Sequence, residues 1–378
     1  MYEMSEVVII GAGPAGLLTS IHLDMDVVLL EARKRVGRPP HCTGIVSLET
    51  SRLFPREAIA EYYDGLIVVA PNAQSVYIDT RLVRLSRPLL EDILASIAAS
   101  KGVKLLLGVR ADSIEITENG ILVKTSKGRR IRARHVVVAE GVAQRLAAKI
   151  GLIARGAKLY GLQYLIRLPR RLSDDSRPIA FILGGCAKYG WIVPLHGGRY
   201  ALLGVAACSH RMSAKLTDQL RRMLGAVYVE DRRGLIPFTR PAPRPCIAYD
   251  EGMVCAIGDA VGTVKATSGG GLYAISRLAP SLAAALNKNN PSIYTNVYRG
   301  VARVLSKLYT VARLAYAHRL LTKTVIHLAG FVTGGSIALR DYDALGVLEW
   351  RRGMRSPCYE SSLKRYLGRV MQAAYGSA

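Results

Sequence analysis

Gly11-Ala12-Gly13-Pro14-Ala15-Gly16, followed about twenty residues later by Glu31, is a set suited to phosphate and sugar. In this spacing Gly11 permits a tight turn, Gly13 lets the backbone approach a pyrophosphate, and Gly16 lets a helix pack close. The N–H groups of that helix then point at the phosphates, while a carboxylate at Glu31 can bond a ribose 2′-hydroxyl. Three later stretches extend the pattern. Arg87 opens the run Arg87-Pro88-Leu89-Leu90-Glu91-Asp92, where a cation at a helix start could reach the pyrophosphate or simply face solvent. Ala139-Glu140-Gly141 ends a strand on the ligand side of a sheet. Gly258-Asp259 ends another in a carboxylate for sugar hydroxyls, and Gly269-Gly270-Gly271 opens a helix able to hold a pyrimidine-type carbonyl. Together these describe a dinucleotide site whose far half suits a flavin ring.

The elements that must position these residues are legible as hydrophobic patterns. Residues 7–10 and 27–30 read as two buried parallel strands with a helix between them. A basic, Pro/Gly-punctuated loop fills 32–44. Residues 65–79 read as a hairpin, and 88–100 as a helix with Leu89, Ile93, Leu94 and Ile97 on one face. Residues 103–107 read as a buried strand. Runs 114–116 and 121–123 flank an Asn119-Gly120 turn, and 136–139 forms a further core strand. From 157 to 207 the pattern changes to longer strands rich in Tyr, Leu and Val, the mark of a second, antiparallel domain. The Pro-rich stretch 237–245 returns the chain to the first domain, where 254–257 adds a strand. The tail from Pro291 is helical and basic.

With 378 residues the chain is long enough for two domains, and its net charge of +24 favours anionic partners: phospholipid, nucleotide or nucleic acid. No recognition motif accompanies the charge, so no nucleic acid is expected. The cysteines at 42, 186, 208, 246, 255 and 358 form no CxxC pair and no metal-ligand spacing; they read as reduced thiols, with no metal. No signal-peptide pattern precedes the first strand. No uncharged apolar run reaches the roughly 18–20 residues of a membrane span, the longest candidate being 325–339. The expectation is a cytoplasmic protein that does not cross a membrane.

The residues from Gly11 to Glu31, Arg87, and Gly258-Asp259 with Thr267-Ser268-Gly269-Gly270-Gly271 resemble the p-hydroxybenzoate-hydroxylase-like flavoprotein superfamily. Within it the chain is similar to the geranylgeranyl reductase family, which includes archaeal digeranylgeranylglycerophospholipid reductases. That narrower likeness rests on Arg38-Pro39-Pro40-His41-Cys42-Thr43-Gly44, on Tyr189-Gly190-Trp191-Ile192-Val193-Pro194, and on the run from Val264 to Gly271. Val193 stands where the family signature has Phe, Pro40 where Lys is common, and Thr43 where Gly often follows the Cys. The resemblance covers roughly residues 5–290. It implies an α/β fold: a Rossmann-type FAD-binding domain (1–64, 81–156 and 246–290) with an inserted antiparallel β-rich substrate domain (65–80 and 157–245) and a helical C-terminal segment (291–378). It also implies FAD contacts from Gly11, Gly13, Ala15, Gly16, Glu31, Ala32, Arg38, Cys42, Gly44, Arg87, Arg110, Ala139, Gly141, Gly258, Asp259 and Gly269 to Gly271.

The implied activity is saturation of isolated C=C bonds in the geranylgeranyl chains of archaeal ether lipid precursors. An unactivated alkene has no carbonyl to polarise, so reduced flavin must deliver hydride while an acid protonates the adjacent carbon. The site should therefore be dry, apolar and shaped for a long isoprenoid lipid. Cys42 is the candidate donor or ring contact and His41 a donor or relay, while Tyr189 and Trp191 suit the tunnel wall over the flavin. Each has a plainer alternative, a small buried cysteine or ordinary aromatic core. The external reductant stays open among NAD(P)H, ferredoxin and deazaflavin. In the tail, Arg299, Arg303 and Lys307 lie opposite Val301, Val304, Leu305 and Leu308, and Arg313, Arg319 and Lys323 continue the charge beside Leu314, Leu320 and Leu321. Such a helix fits the anionic inner face of a cell membrane, and equally a helix packed on its own domain. Two other functions share the scaffold: an aromatic-ring flavin monooxygenase, and a flavin-containing lipid- or partner-binding protein without turnover.

Overall fold

The computed structural model describes residues 3–71, 74–170, 177–249, 251–317, 324, 336–344 and 351–352. Strand β1 (Glu3–Ile10) leads through Gly11–Gly13 into helix α1 (Pro14–Ile21) and strand β2 (Val27–Glu31). β1 lies parallel between β2 and Arg130–Val138, with Val7 beside both Val27 and His135. Lys104–Leu107 extends the sheet beyond β2, and Gly252–Ala256 extends it beyond Arg130–Val138. Because Ile10 is level with Leu30 and Val138, and Val138 with Ala256, all four inner strands end on one edge. That edge is where ligands bind in open parallel sheets, and it brings four distant loops together. The helices Arg87–Ser100 and Leu272–Asn287 flank α1 on one face of the sheet.

Two expectations need correction here. The helix Arg87–Ser100 buries Leu90, Glu91, Leu94 and Ala98, while Leu89 is exposed. Adjacent leucines at 89 and 90 leave the helical phase ambiguous by one residue, and packing under α1 selects Leu90. Lys104–Leu107 is also not fully buried: it is the outer strand, and Leu107 faces solvent.

The second sheet runs, in spatial order, through Val227–Thr239, Gly156–Arg167, Tyr200–Ala207, Ala187–Leu195, Ile179–Ile182, Leu66–Val69, Ser75–Asp79 and Ser336–Ala338. The expected hairpin pairs Leu66 with Ile78 and Val69 with Ser75. Two joints in this sheet are parallel, Ile179–Ile182 on Leu66–Val69 and Ser75–Asp79 on Ser336–Ala338, so the sheet is not purely antiparallel. A third, small sheet of Ile45–Ser47, Leu82–Leu85 and Ile59–Tyr63 sits beside the 32–44 loop.

The tail supplies the long helix Pro291–Ala317, bolted down by Tyr294 and Tyr298. Both rings are fully buried, and their hydroxyls donate to the Ala256 and Ala242 carbonyls at 2.8 Å. The tail is not helical throughout, because Ser336–Ala338 joins the second sheet. Arg319, Leu320, Leu321, Lys323, residues 325–335 and Cys358 lie outside the described residues. Among the described residues, no helix is long and apolar enough to cross a membrane.

The expectation of reduced thiols is overturned at four positions. Cys246 and Cys255 are direct partners across the antiparallel pair Cys246–Tyr249 and Gly252–Ala256, and they are disulfide-bonded. Cys186 and Cys208, at the ends of the paired strands Ala187–Leu195 and Tyr200–Ala207, form a second disulfide. Strand pairing sets these contacts and sequence spacing does not reveal them. Among the described cysteines, Cys42 is free.

Candidate functional site

The glycine corner is built by close contacts. Gly11 has φ of +108°, and a Cβ there would stand 2.3 Å from the Ala139 carbonyl oxygen. A Cβ on Gly16 would lie 1.9 Å from the Gly11 oxygen, so α1 can sit on the turn only if residue 16 has no side chain. Gly13 differs: a Cβ there would meet no atom within 4 Å, because that position looks into open cavity. At the next strand end, the two Glu31 carboxylate oxygens accept from the backbone N–H groups of Ala12 (2.9 Å) and Arg33 (2.8 Å). These bonds fix the carboxylate at the mouth of the turn, with lone pairs left for a diol.

The cavity beginning there has a volume of about 960 Å³. Its walls include Gly11, Gly13, Ala15, Glu31, Ala32, His41, Cys42, Arg87, Arg110, Ala139, Gly141, Asp259 and Gly269 to Gly271, together with Tyr189 and Trp191. Thus one space joins loops spread over most of the chain. Four sequence-predicted residues do not line it. Gly16 serves the α1 contact, Gly44 packs on the Leu85 carbonyl, and Gly258 packs on Ala15. Arg38 faces solvent and pairs with Asp92 at 3.3 Å.

Around Cys42 the site is charged but balanced. Arg87 is partly buried, and its Nε and Nη2 donate to Glu91 Oε1 at 3.1 and 2.5 Å, one helical turn on. Burial opposes this charge, but Glu91, and then the nearby Cys42, outweigh it and hold the guanidinium protonated above its ordinary range. His41 is exposed at the cavity wall; desolvation by the surrounding protein, and then Arg87, push its imidazole below the ordinary range. Its Nδ1 lies 3.3 Å from the Pro39 carbonyl oxygen. Burial raises the Asp259 carboxyl, with Arg87 acting against the shift.

The far wall is apolar and comes largely from the second sheet: Leu66, Val68, Ile78, Ala180, Phe181 and Val193. Trp191 Nε1 donates to Gln163 Oε1 at 2.8 Å. Tyr189 stacks on Tyr316 with centroids 5.7 Å apart, and its buried hydroxyl has no hydrogen-bond partner among the described residues. Burial pushes that hydroxyl far above its ordinary pKa, so it keeps its proton. The tail closes the remaining side through Val311, Ala312, Tyr316, Leu339, Tyr342 and Asp343.

Residues 6–165 match the family model described as lycopene cyclase protein. Curated relatives include digeranylgeranylglycerophospholipid reductases. Reductase 2 of Methanosphaera stadtmanae is 25% identical over 293 residues, covering 71% of this chain and 74% of the relative. Reductase 1 of Methanothermobacter thermautotrophicus is 28% identical over 293 residues, covering 71% and 73%. Among solved structures, a geranylgeranyl bacteriochlorophyll reductase-like protein from Thermoplasma acidophilum superposes with a TM-score of 0.75 at 17% identity, over 86% of this chain and 91% of that one. p-Nitrophenol 4-monooxygenase PnpA from Pseudomonas putida gives 0.71 at 17% identity, over 89% and 95%. The two structures share this chain's fold, a parallel-sheet core joined to a second sheet.

Sequence reasoning missed Gln163, Glu91, Lys265, Tyr316, Tyr342 and Asp343, all of which line the cavity. Lys265 alone carried a readable signal, a charge inside the small, glycine-rich run Val264 to Gly271.

Proposed function

We propose that this chain is an FAD-dependent reductase that saturates isolated C=C bonds in geranylgeranyl chains of archaeal ether lipid precursors. The observation carrying this reading is that a phosphate-and-sugar cradle and an apolar wall share one cavity. The residues present fit FAD. Gly13 and the first turn of α1 would meet the pyrophosphate, Glu31 the ribose, and Asp259 with the turn Gly269 to Gly271 the flavin half. FAD supplies hydride when reduced.

The chain's own groups do the rest. The wall formed by Leu66, Val68, Ile78 and Val193 holds an isoprenoid chain and keeps water out. The groups placed to give a proton are Cys42, on the cavity wall with Arg87, and the Tyr189 hydroxyl, which burial keeps protonated. His41, its imidazole pushed below the ordinary range, suits proton relay to Cys42 rather than a cationic role. On this reading the parallel-sheet portion holds the cofactor and the second sheet holds the substrate.

Lipid entry follows from the long tail helix. Val311 lines the cavity yet is 57% exposed, and Leu314 beside it is exposed as well. Lys307 and Arg313 flank them on the exposed surface. This combination suits docking on an anionic bilayer, so that substrate enters from the membrane. Sedimentation should show more protein bound to anionic than to neutral liposomes, and equal binding to both would remove the electrostatic contact.

The fold is shared with a monooxygenase, so the reaction class is tested directly. Anaerobic turnover with a geranylgeranyl lipid should add two hydrogens per double bond. An absolute requirement for O₂, with oxygen in the product, would establish the monooxygenase reading instead.

A further inference from the structure

Lys265 and Asp343 are almost completely buried and form an ion pair inside the cavity wall, 78 residues apart in sequence. Each is tied to a different part of the site. The Lys265 backbone N–H donates to the Gly270 carbonyl at 3.0 Å, and its own carbonyl accepts from Gly269 at 2.8 Å and Ser268 at 3.2 Å. Its side chain runs along the same turn: a Cβ on Gly270 would stand 2.9 Å from Lys265 Cε and 3.6 Å from Nζ. Asp343 turns its other oxygen away, accepting from the Ser47 N–H at 2.7 Å. Ser47 ends the short strand that follows the Cys42 loop. The pair therefore links the glycine turn, the Cys42 side of the cavity and the tail.

Its orientation is also fixed. The ammonium stands at the glycine turn and over the Tyr342 ring, 4.4 Å from the centroid, while the carboxylate is held by the Ser47 N–H. A buried pair with its positive end toward one wall acts there as a preorganised dipole, and it is little screened by water. A surface tether between segments would not need two charges taken out of solvent at such cost.

We infer that Lys265 and Asp343 are a positioning pair that holds the turn Gly269 to Gly271 against the flavin and sets how readily the flavin is reduced. The inference rests on the FAD reading above. Positive potential at the flavin favours the electron-rich reduced form, so Lys265 raises the reduction potential and Asp343 moderates the effect.

The test is the reduction potential of FAD-loaded protein, measured by anaerobic dye equilibration and free of any lipid. Lys265→Met should disfavour reduction by about tenfold in the equilibrium, about 30 mV for a two-electron couple. Asp343→Asn should shift it the opposite way, and Lys265→Arg should keep the wild-type value. Because a lone buried charge can prevent folding, Lys265→Met/Asp343→Leu serves as the neutral control. Restored FAD binding in this double variant, with reduction still disfavoured, supports the inference. Wild-type potential in a double variant that binds FAD overturns it and leaves the FAD reading intact. Wild-type protein that takes up no FAD overturns both.

Discussion

The buried hydroxyl of Tyr189 points at Gly269: a Cβ on that glycine would stand 3.0 Å from the phenolic oxygen. Among the described residues no hydrogen-bond partner satisfies the hydroxyl, and burial keeps it protonated. An unpaired buried donor costs stability, and this one stands beside the glycine turn with its proton free to be given. Tyr189→Phe should leave thermal stability unchanged or slightly raised while lowering lipid turnover by about 100-fold. Full turnover in the variant would assign the ring to packing alone.

Cys42 gives a separate prediction, since it lines the cavity together with Arg87 and accepts from the Gly44 N–H at 3.4 Å. Cys42→Ser should retain FAD, seen in the visible spectrum, and lose turnover. Unchanged turnover would remove the thiol from the mechanism.

Two glycines of the opening turn should fail in different ways. Gly13→Ala places a methyl in open cavity, so the apoprotein should melt normally while FAD affinity falls by roughly tenfold or more. Gly16→Ala drives a methyl into the Gly11 carbonyl, so the melting temperature itself should fall. Calorimetry of apoprotein with FAD titration separates the two, and identical behaviour would refute this division.

His135 makes stability pH-dependent. It is fully buried in the parallel sheet, both ring nitrogens are without a hydrogen-bond partner among the described residues, and burial, with Arg134 nearby, pushes its pKa down to about 4. The unfolded chain, near its ordinary 6.5, therefore binds the proton more readily than the fold does. Stability contributed by neutral His135 is present above that value and is lost as pH falls from about 6.5 to about 4, by up to ~3 kcal/mol. Urea midpoints across this window should fall for wild type and less for His135→Leu; parallel curves would exclude His135 as the cause.

The two disulfides span sequence separations of 22 and 9 residues. By the chain-entropy account they contribute about 3.4 and about 2.6 kcal/mol, so the Cys186→Ala/Cys208→Ala and Cys246→Ala/Cys255→Ala variants should each unfold at lower denaturant. Unchanged midpoints would show that neither crosslink restrains the unfolded chain.

What the sequence made legible was local. The Gly11 turn, Glu31 and the hairpin with Leu66 opposite Ile78 follow from spacing within one supersecondary unit; the hairpin around 114–123 does too, but its turn is Glu118-Asn119, with Gly120 already paired to Thr117. What it hid is held by partners far apart in the chain. Gln163 meets Trp191 across the second sheet, and Asp343 reaches Lys265 from the tail. Cys246 and Cys255 meet because strand pairing puts them opposite. Composition and periodicity carry no trace of such meetings. The phase of the helix beginning at Arg87 failed for a smaller reason, since packing chose between two adjacent leucines.

The central claim is that reduced flavin and an isoprenoid chain meet in the one cavity. Single turnover tests it most directly: FAD-loaded protein, photoreduced without oxygen, is mixed with a geranylgeranyl lipid while flavin absorbance and lipid mass are followed. The account predicts that oxidised-flavin absorbance returns in step with a gain of two hydrogens per flavin. Flavin that stays reduced until oxygen is admitted, with lipid mass unchanged, would contradict it.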